Sequence, residues 1–238
     1  MTDTGPVDGP VDEPVDGPAR RALRAPRAAG LAGVLFALLL AAAVVLMRLG
    51  LPQGAGAATP AGFTDPARRD AVRAALGLVP LAGICFLWFV GVVRAHVGAA
   101  EDKFLATVFL GSGLVFVATM FGAAAAADAV LATAHPPGAA PPDPAAWDFG
   151  RRFAYTLMTG YAMRMAAVFT CSLSVMGHRF GVLPRWLTVL GVLAALTLLF
   201  ASSNVPWAEL VFPAWALVVS AHILVVGGRR ARQGTAVA

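Results

Sequence analysis

Residues 104–132 read FLATVFLGSGLVFVATMFGAAAAADAVLA, with no charged side chain anywhere from Phe104 to Ala127. A helix rises about 1.5 Å per residue, so about 20 apolar residues cross the ~30 Å hydrocarbon layer of a bilayer. This run is longer than that, which leaves room for tilt or for projection beyond the bilayer. It predicts a membrane-spanning helix.

Five further apolar runs lie to either side, at 30–49, 73–94, 153–176, 183–201 and 206–226. Together the six predict an all-α fold, a polytopic transmembrane helical bundle of six spans. Composition agrees: 58% of the residues are hydrophobic, mean hydropathy is +0.74 and only 13% are charged. Soluble domains carry roughly 25% charge. The chain therefore divides into residues 1–29, a disordered acidic and Pro-rich tail ending in a basic anchor; 30–228, the transmembrane domain; and 229–238, a short second tail. The first tail contains the repeat Pro6-Val7-Asp8-Gly9, Pro10-Val11-Asp12-Glu13, Pro14-Val15-Asp16-Gly17, which has almost nothing to bury.

A net charge of +5 and a pI near 10.2 invite a nucleic-acid reading. The cations argue against it, because they collect at the ends of apolar runs instead of forming one patch. If the N-terminus is cytoplasmic, the inner side holds Arg20, Arg21, Arg24, Arg27, Arg94, Lys103, Arg179, Arg185, Arg229, Arg230 and Arg232. The other side holds only Arg48, Arg68, Arg69, Arg73, Arg151 and Arg152. That excess predicts that both termini are cytoplasmic. Arg20-Arg21 ahead of an apolar run also looks loosely like a twin-arginine signal, but five further spans favour an anchor.

The Pro-rich connections at 50–65 and 133–150 then fall outside, and short inner loops predict that helices 2–3 and 4–5 pack as hairpins. Thr64 or Asp65 can cap an early start of helix 2 with Pro66 in its first turn, and Gly77 and Pro80 are natural bend sites. Pro206-Trp207 opens the last span, which Pro213 should kink.

One charge lies deep within a span. Arg164 sits near the middle of 153–176, where it costs roughly 2.5–3.5 kcal/mol on the insertion scale. Helical spacing places it with Gly160, Tyr161, Ala167, Val168, Cys171, Ser174 and His178. This small and polar stripe predicts that Arg164 points into the bundle. Its candidate partners are Asp128 and Glu209 near the outer ends of their helices, and the hydroxyls of Ser112, Thr119 and Tyr161. These six residues form the expected ligand-binding set, suited to an anion or carboxylate. The structural alternative is an arginine that ties helices together.

Other chemistry is thin. His96, His178 and His222 fall at one level with Glu101 and Asp102, but the spacing carries no metal motif. Met158, Met163, Met165 and Met176 with Cys171 do not share one face, so packing is favoured over copper. Cys85 and Cys171 lie within apolar runs and read as small hydrophobes. No hydrolase triad, HExxH or paired intramembrane carboxylate is visible, and neither catalysis nor a cofactor is expected.

The stretch Gly181-Val182-Leu183-Pro184-Arg185-Trp186-Leu187, followed by Leu190-Gly191-Val192-Leu193, resembles a cytoplasmic turn and helix in multi-pass membrane proteins of high-GC actinobacteria. Phe86-Leu87-Trp88-Phe89-Val90-Gly91-Val92-Val93-Arg94 and Thr107-Val108-Phe109-Leu110-Gly111-Ser112-Gly113 are similar to segments of the same proteins. The resemblance implies a small all-helical inner-membrane protein and transfers no catalytic residue. The leading expectation is binding or passage of a small, anionic solute through a polar interior around Arg164. The runner-up is a non-catalytic accessory or scaffold subunit, and an enzyme acting on a lipid-like substrate comes third. The partners expected are the bilayer, a small-molecule ligand, and a second copy or another membrane protein, with no nucleic acid.

Overall fold

The computed structural model describes residues 18–51, 65–97, 103–133, 143–181, 183–202 and 205–235. These residues are helical, with no strand among them. The helices are α1 (Pro18–Gly50), α2 (Pro66–Val97), α3 (Lys103–Ala132), α4 (Pro144–Tyr155), α5 (Met163–Arg179), α6 (Arg185–Phe200) and α7 (Val211–Thr235). A seven-residue π-helical segment, Thr156–Ala162, joins α4 to α5 without a break. A 3-10 turn, Ala208–Leu210, leads into α7. Four stretches are long and apolar enough to cross a membrane: Gly30–Gly50, Pro66–Arg94, Lys103–Ala132 and Ala208–Val226.

Helix ends follow from local chemistry. Asp65 accepts from the backbone N–H of Ala67 at 3.0 Å, ahead of Pro66 in the first turn. Asp143-Pro144-Ala145 repeats that device, with Asp143 accepting from Ala145 N–H at 3.0 Å. Residues 144–150 are thus helical, where a loop to residue 150 was expected. The same acid-proline signal was legible at both sites. At the termini, α1 already runs from Pro18 and α7 continues to Thr235, so helix replaces part of each expected tail. The repeat, Thr64 and most of the two Pro-rich loops lie outside the described residues. α2 runs through Gly77 and Pro80 as one helix. Pro213 is the third residue of α7, where its missing N–H is one that the helix could not have bonded anyway. The change of helix type occurs just before it, at the 3-10 turn.

The helices form a closed ring in chain order. α1 packs on α2, α2 on α3, α3 on the α4–α5 rod, α5 on α6 and α6 on α7, and α7 returns to α1. The two expected hairpins, α2–α3 and α5–α6, are both present. Glycines let two seams close tightly. A Cβ at Gly33 of α1 would fall 2.1 Å from Ser220 Oγ of α7, and one at Gly191 of α6 would fall 1.9 Å from Ser174 Oγ of α5. Close approach through small residues is how helices gain contact where lipid removes the hydrophobic drive.

The middle of the ring is filled by aromatic rings. Phe36, Phe86, Phe109, Phe116, Phe169 and Phe212 are all at most 2% exposed. Centroid separations are 4.7 Å for Phe36–Phe86, 4.9 Å for Phe86–Phe169, 4.8 Å for Phe109–Phe169 and 5.0 Å for Phe116–Phe212. These lie in the range where edge-to-face and offset pairs gain beyond simple burial. A cleft beside Phe36, Val79, Phe116 and Phe121 holds about 10 Å³ for a water-sized body and is lined by apolar side chains and one glycine.

Candidate functional site

The six residues proposed as one ligand site do not come together. Ser112 is buried, but its hydroxyl donates to the Phe109 carbonyl at 3.1 Å in its own helix. Thr119 donates to the Val115 carbonyl at 2.7 Å. Asp128 is exposed near the end of α3. Tyr161 is 59% exposed.

Arg164 is exposed too, on the outside of the ring. The expectation that it points inward is therefore corrected, and the reason is register. The buried seam of this helix is Ala162, Ala166, Thr170 and Ser174, each 0% exposed and four residues apart. Bulky Met163, Phe169 and Met176 share that inward side and pack into the phenylalanine core. The opposite face carries Tyr161, Arg164, Val168, Cys171, Val175 and His178, all exposed or half-buried. Of the expected stripe, Gly160, Ala167 and Ser174 are buried, whereas Tyr161, Arg164 and His178 are exposed and Val168 and Cys171 half-buried.

The π segment gives Arg164 a local contact. A wide turn serves its carbonyls poorly along the helix, and side chains make up the difference. Arg164 Nη1 donates to the Gly160 carbonyl at 2.5 Å, Thr159 Oγ1 to the Tyr155 carbonyl at 3.0 Å, and Ser202 Oγ to the Thr159 carbonyl at 2.9 Å.

The sixth candidate, Glu209, is fully buried and pairs with an arginine that was counted only as a loop charge. Arg48 Nη2 donates to Glu209 Oε1 at 2.6 Å, with the Arg48 side chain 12% exposed. Arg48 lies near the end of α1 and Glu209 in the turn entering α7. The Arg48 guanidinium sits 5.3 Å from the Trp207 ring centroid, at the distance of a cation–π contact. Trp207 itself has φ 69°, a left-handed conformation that is costly for a residue with a Cβ. Such strain persists where neighbours fix it.

The α4–π junction completes the cluster. The Tyr155 hydroxyl donates to the Leu51 carbonyl just beyond α1. Arg151, 5% exposed, pairs with Asp148 at 2.7 Å, and Arg152 reaches the other Asp148 oxygen at 2.6 Å. Hydrogen bonds from Arg151 and then Arg152 hold the Asp148 carboxyl below the usual carboxylate range. The ends of α1, α4 and α7 are thus tied by polar side chains. Glu209 Oε2 and Arg48 Nε are buried there without a hydrogen-bond partner among the described residues. A water or a polar solute group would complete both. The signal for this pairing was present in the sequence: an arginine closing the first apolar run and a glutamate opening the last, at the same end of an antiparallel set.

Elsewhere, His222 meets Trp186 edge-on at 6.3 Å and His178 is exposed. The His96 side chain, Glu101 and Asp102 lie outside the described residues. Among the described residues no three His, Cys, Asp or Glu side chains group as a metal site would require. Cys85 and Cys171 are both free and half-buried.

Fold and site together define the class: an all-helical bundle with four helices fit to cross a membrane and a buried ion pair at one end. The chain matches no protein-family model, no curated protein and no solved structure.

Proposed function

We propose that this chain is a non-enzymatic, multi-pass protein of the bacterial plasma membrane that serves as an accessory subunit, working through its lateral surface. In this reading all six apolar segments span, with both termini cytoplasmic. The α4–π–α5 rod and the shorter α6 then cross beside the four longest helices. One observation carries the reading: Arg164 and Tyr161 lie on the outward face of the rod, while phenylalanine rings fill the interior. A charge facing lipid is costly, and an opposite charge or polar group, which a neighbouring protein can supply, offsets it.

The test is purification from native membranes in mild detergent, with particle mass and composition as the readout. A stoichiometric partner subunit is the expected result. A homogeneous, partner-free monomer sinks the reading.

A second reading, solute binding, is favoured by the unpartnered Glu209 Oε2 and Arg48 Nε. It shifts the expected solute site from Arg164 to the Arg48 end of the bundle. Single cysteines beside the pair, at Leu51 and Ala208, and along the Ala162–Ser174 seam separate binding at the Arg48 end, passage through the interior and the accessory reading. Binding at the Arg48 end requires that the two beside the pair react with a membrane-impermeant maleimide. Passage through the interior requires that the seam react as well, and the accessory reading requires that all stay unmodified.

A further inference from the structure

We infer that the Tyr161–Arg164 face docks a transmembrane helix of a different protein, and that this helix carries an aspartate or glutamate at mid-depth. The inference rests on the accessory-subunit reading and names the chemistry of its partner.

Depth comes first. In the continuous rod, Arg164 stands between Arg152 near one end and His178 near the other, at twelve and fourteen residues. At about 1.5 Å per residue each is roughly 20 Å away, which puts Arg164 near the middle of a ~30 Å apolar layer. Lipid headgroups are therefore out of reach of its guanidinium, which excludes an anionic lipid as the natural counter-charge.

The donors come next. A guanidinium has five N–H groups in a planar fork. Among the described residues one of them is used, on the Gly160 carbonyl, and the Tyr161 hydroxyl one turn away has no partner. Hydrocarbon tails offer no acceptor. A carboxylate answers both the charge and the fork geometry. Val168, Cys171 and Val175 continue the face with small and medium side chains, so a second helix can lie close along it.

Among its described residues, a second copy of this chain does not supply that carboxylate. Among the described residues every acid lies at the Arg48 end: Asp65, Asp70, Asp128, Asp143, Asp148 and Glu209. The nearest in the neighbouring helix is Asp128. Gly122 of α3 sits level with Leu157 of the rod, so Asp128 is roughly 20 Å along the axis from Arg164. Glu209 is already buried against Arg48. Among the described residues no acid stands free beside the level of Arg164, which points to another chain as its source.

The experiment uses the full chain in its native membrane, with a photo-reactive amino acid at Val168 and, as a control, at Val189 on the exposed side of α6. Crosslinked products are identified by mass spectrometry. The expected product at Val168 is one distinct membrane protein, joined through a helix that carries Asp or Glu near its centre. Its yield should fall at least tenfold with Arg164→Leu and partly recover with Arg164→Lys. Changing the partner's acid to its amide should reproduce the loss. A foreign helix without a mid-depth acid, or a yield unmoved by Arg164→Leu, overturns this inference and leaves the accessory reading standing. Crosslinks only to a second copy or to lipid, with a partner-free particle, overturn both. Equal thermal stability of the Arg164 variants in detergent ensures that a lost crosslink reports docking and not misfolding.

Discussion

Arg48 and Glu209, 161 positions apart in sequence, meet at 2.6 Å with the glutamate fully buried. They join the end of α1 to the start of α7 and so fasten the ring where its first and last helices meet. The pair is closed on one side by the Trp207 ring and approached from α4 by Tyr155, which hydrogen-bonds the Leu51 carbonyl.

Breaking this pair from one side strands the other charge. Glu209→Gln and Arg48→Met should each destabilise the protein by about 3–5 kcal/mol. The double variant Arg48→Met with Glu209→Leu should recover most of that loss, because two apolar groups leave nothing unpaired. With the single variant Glu209→Leu added, thermal unfolding of wild type, Arg48→Met, Glu209→Leu and their double in one detergent gives the coupling directly. Additive losses would mean that the two side chains do not act as a pair.

Arg164 behaves oppositely. It faces outward and keeps one hydrogen bond to its own helix, so Arg164→Leu should leave the melting temperature unchanged or raise it. If the rod spans as proposed, the gain is bounded by the roughly 2.5–3.5 kcal/mol that an arginine at the centre of a span costs on the insertion scale. A large fall in stability would place Arg164 in a buried network and overturn its outward assignment.

The α5–α6 seam depends on the absence of one methyl group. In Gly191→Ala the new Cβ would lie 1.9 Å from Ser174 Oγ and 2.9 Å from Trp215 Nε1. Overpacking of this kind costs about 1–3 kcal/mol. Gly77→Ala, with nothing within 4 Å, is the matched control and should gain roughly 0.5–1 kcal/mol from helix propensity. Parallel melts of the two variants check both signs.

Asp148 makes the α4 region sensitive to acid. Its folded pKa is lowered from 3.8 by Arg151 and Arg152. Its stabilisation is therefore fully present above the unfolded value and is lost as pH falls through the folded one. The protection of α4 amides against hydrogen exchange, corrected for the pH dependence of the intrinsic rate, should fall on acidification below about pH 4, the range of an ordinary aspartate. Asp148→Asn should exchange faster at neutral pH and show little further change in acid. An identical acid response in wild type and variant would assign the effect to another group.

Much of this architecture can be read locally. The six apolar runs became helices because lipid-scale hydrophobic length is a property of contiguous residues. Asp65-Pro66 marked a helix start for the same reason, and Asp143-Pro144 carried the same mark. The inward face of the rod was harder. A seam at Ala162, Ala166, Thr170 and Ser174 and a stripe at Tyr161, Arg164, Val168 and Cys171 both present small or polar residues at helical spacing. Periodicity fixes that a helix has faces, but not which face a neighbour covers. Here the large residues Met163, Phe169 and Met176 decide it, because they complete the aromatic core.

The sequence by itself determined that this is a bundle of long apolar helices, where several of those helices begin, and that one arginine stands in the middle of the apolar run 153–176. Only the tertiary structure decided that the ring closes through α1 and α7, that Arg48 rather than Arg164 takes Glu209, and that Arg164 looks outward. Helix formation follows from short-range backbone bonding and local apolarity, whereas pairing and facing depend on which distant surfaces pack best together.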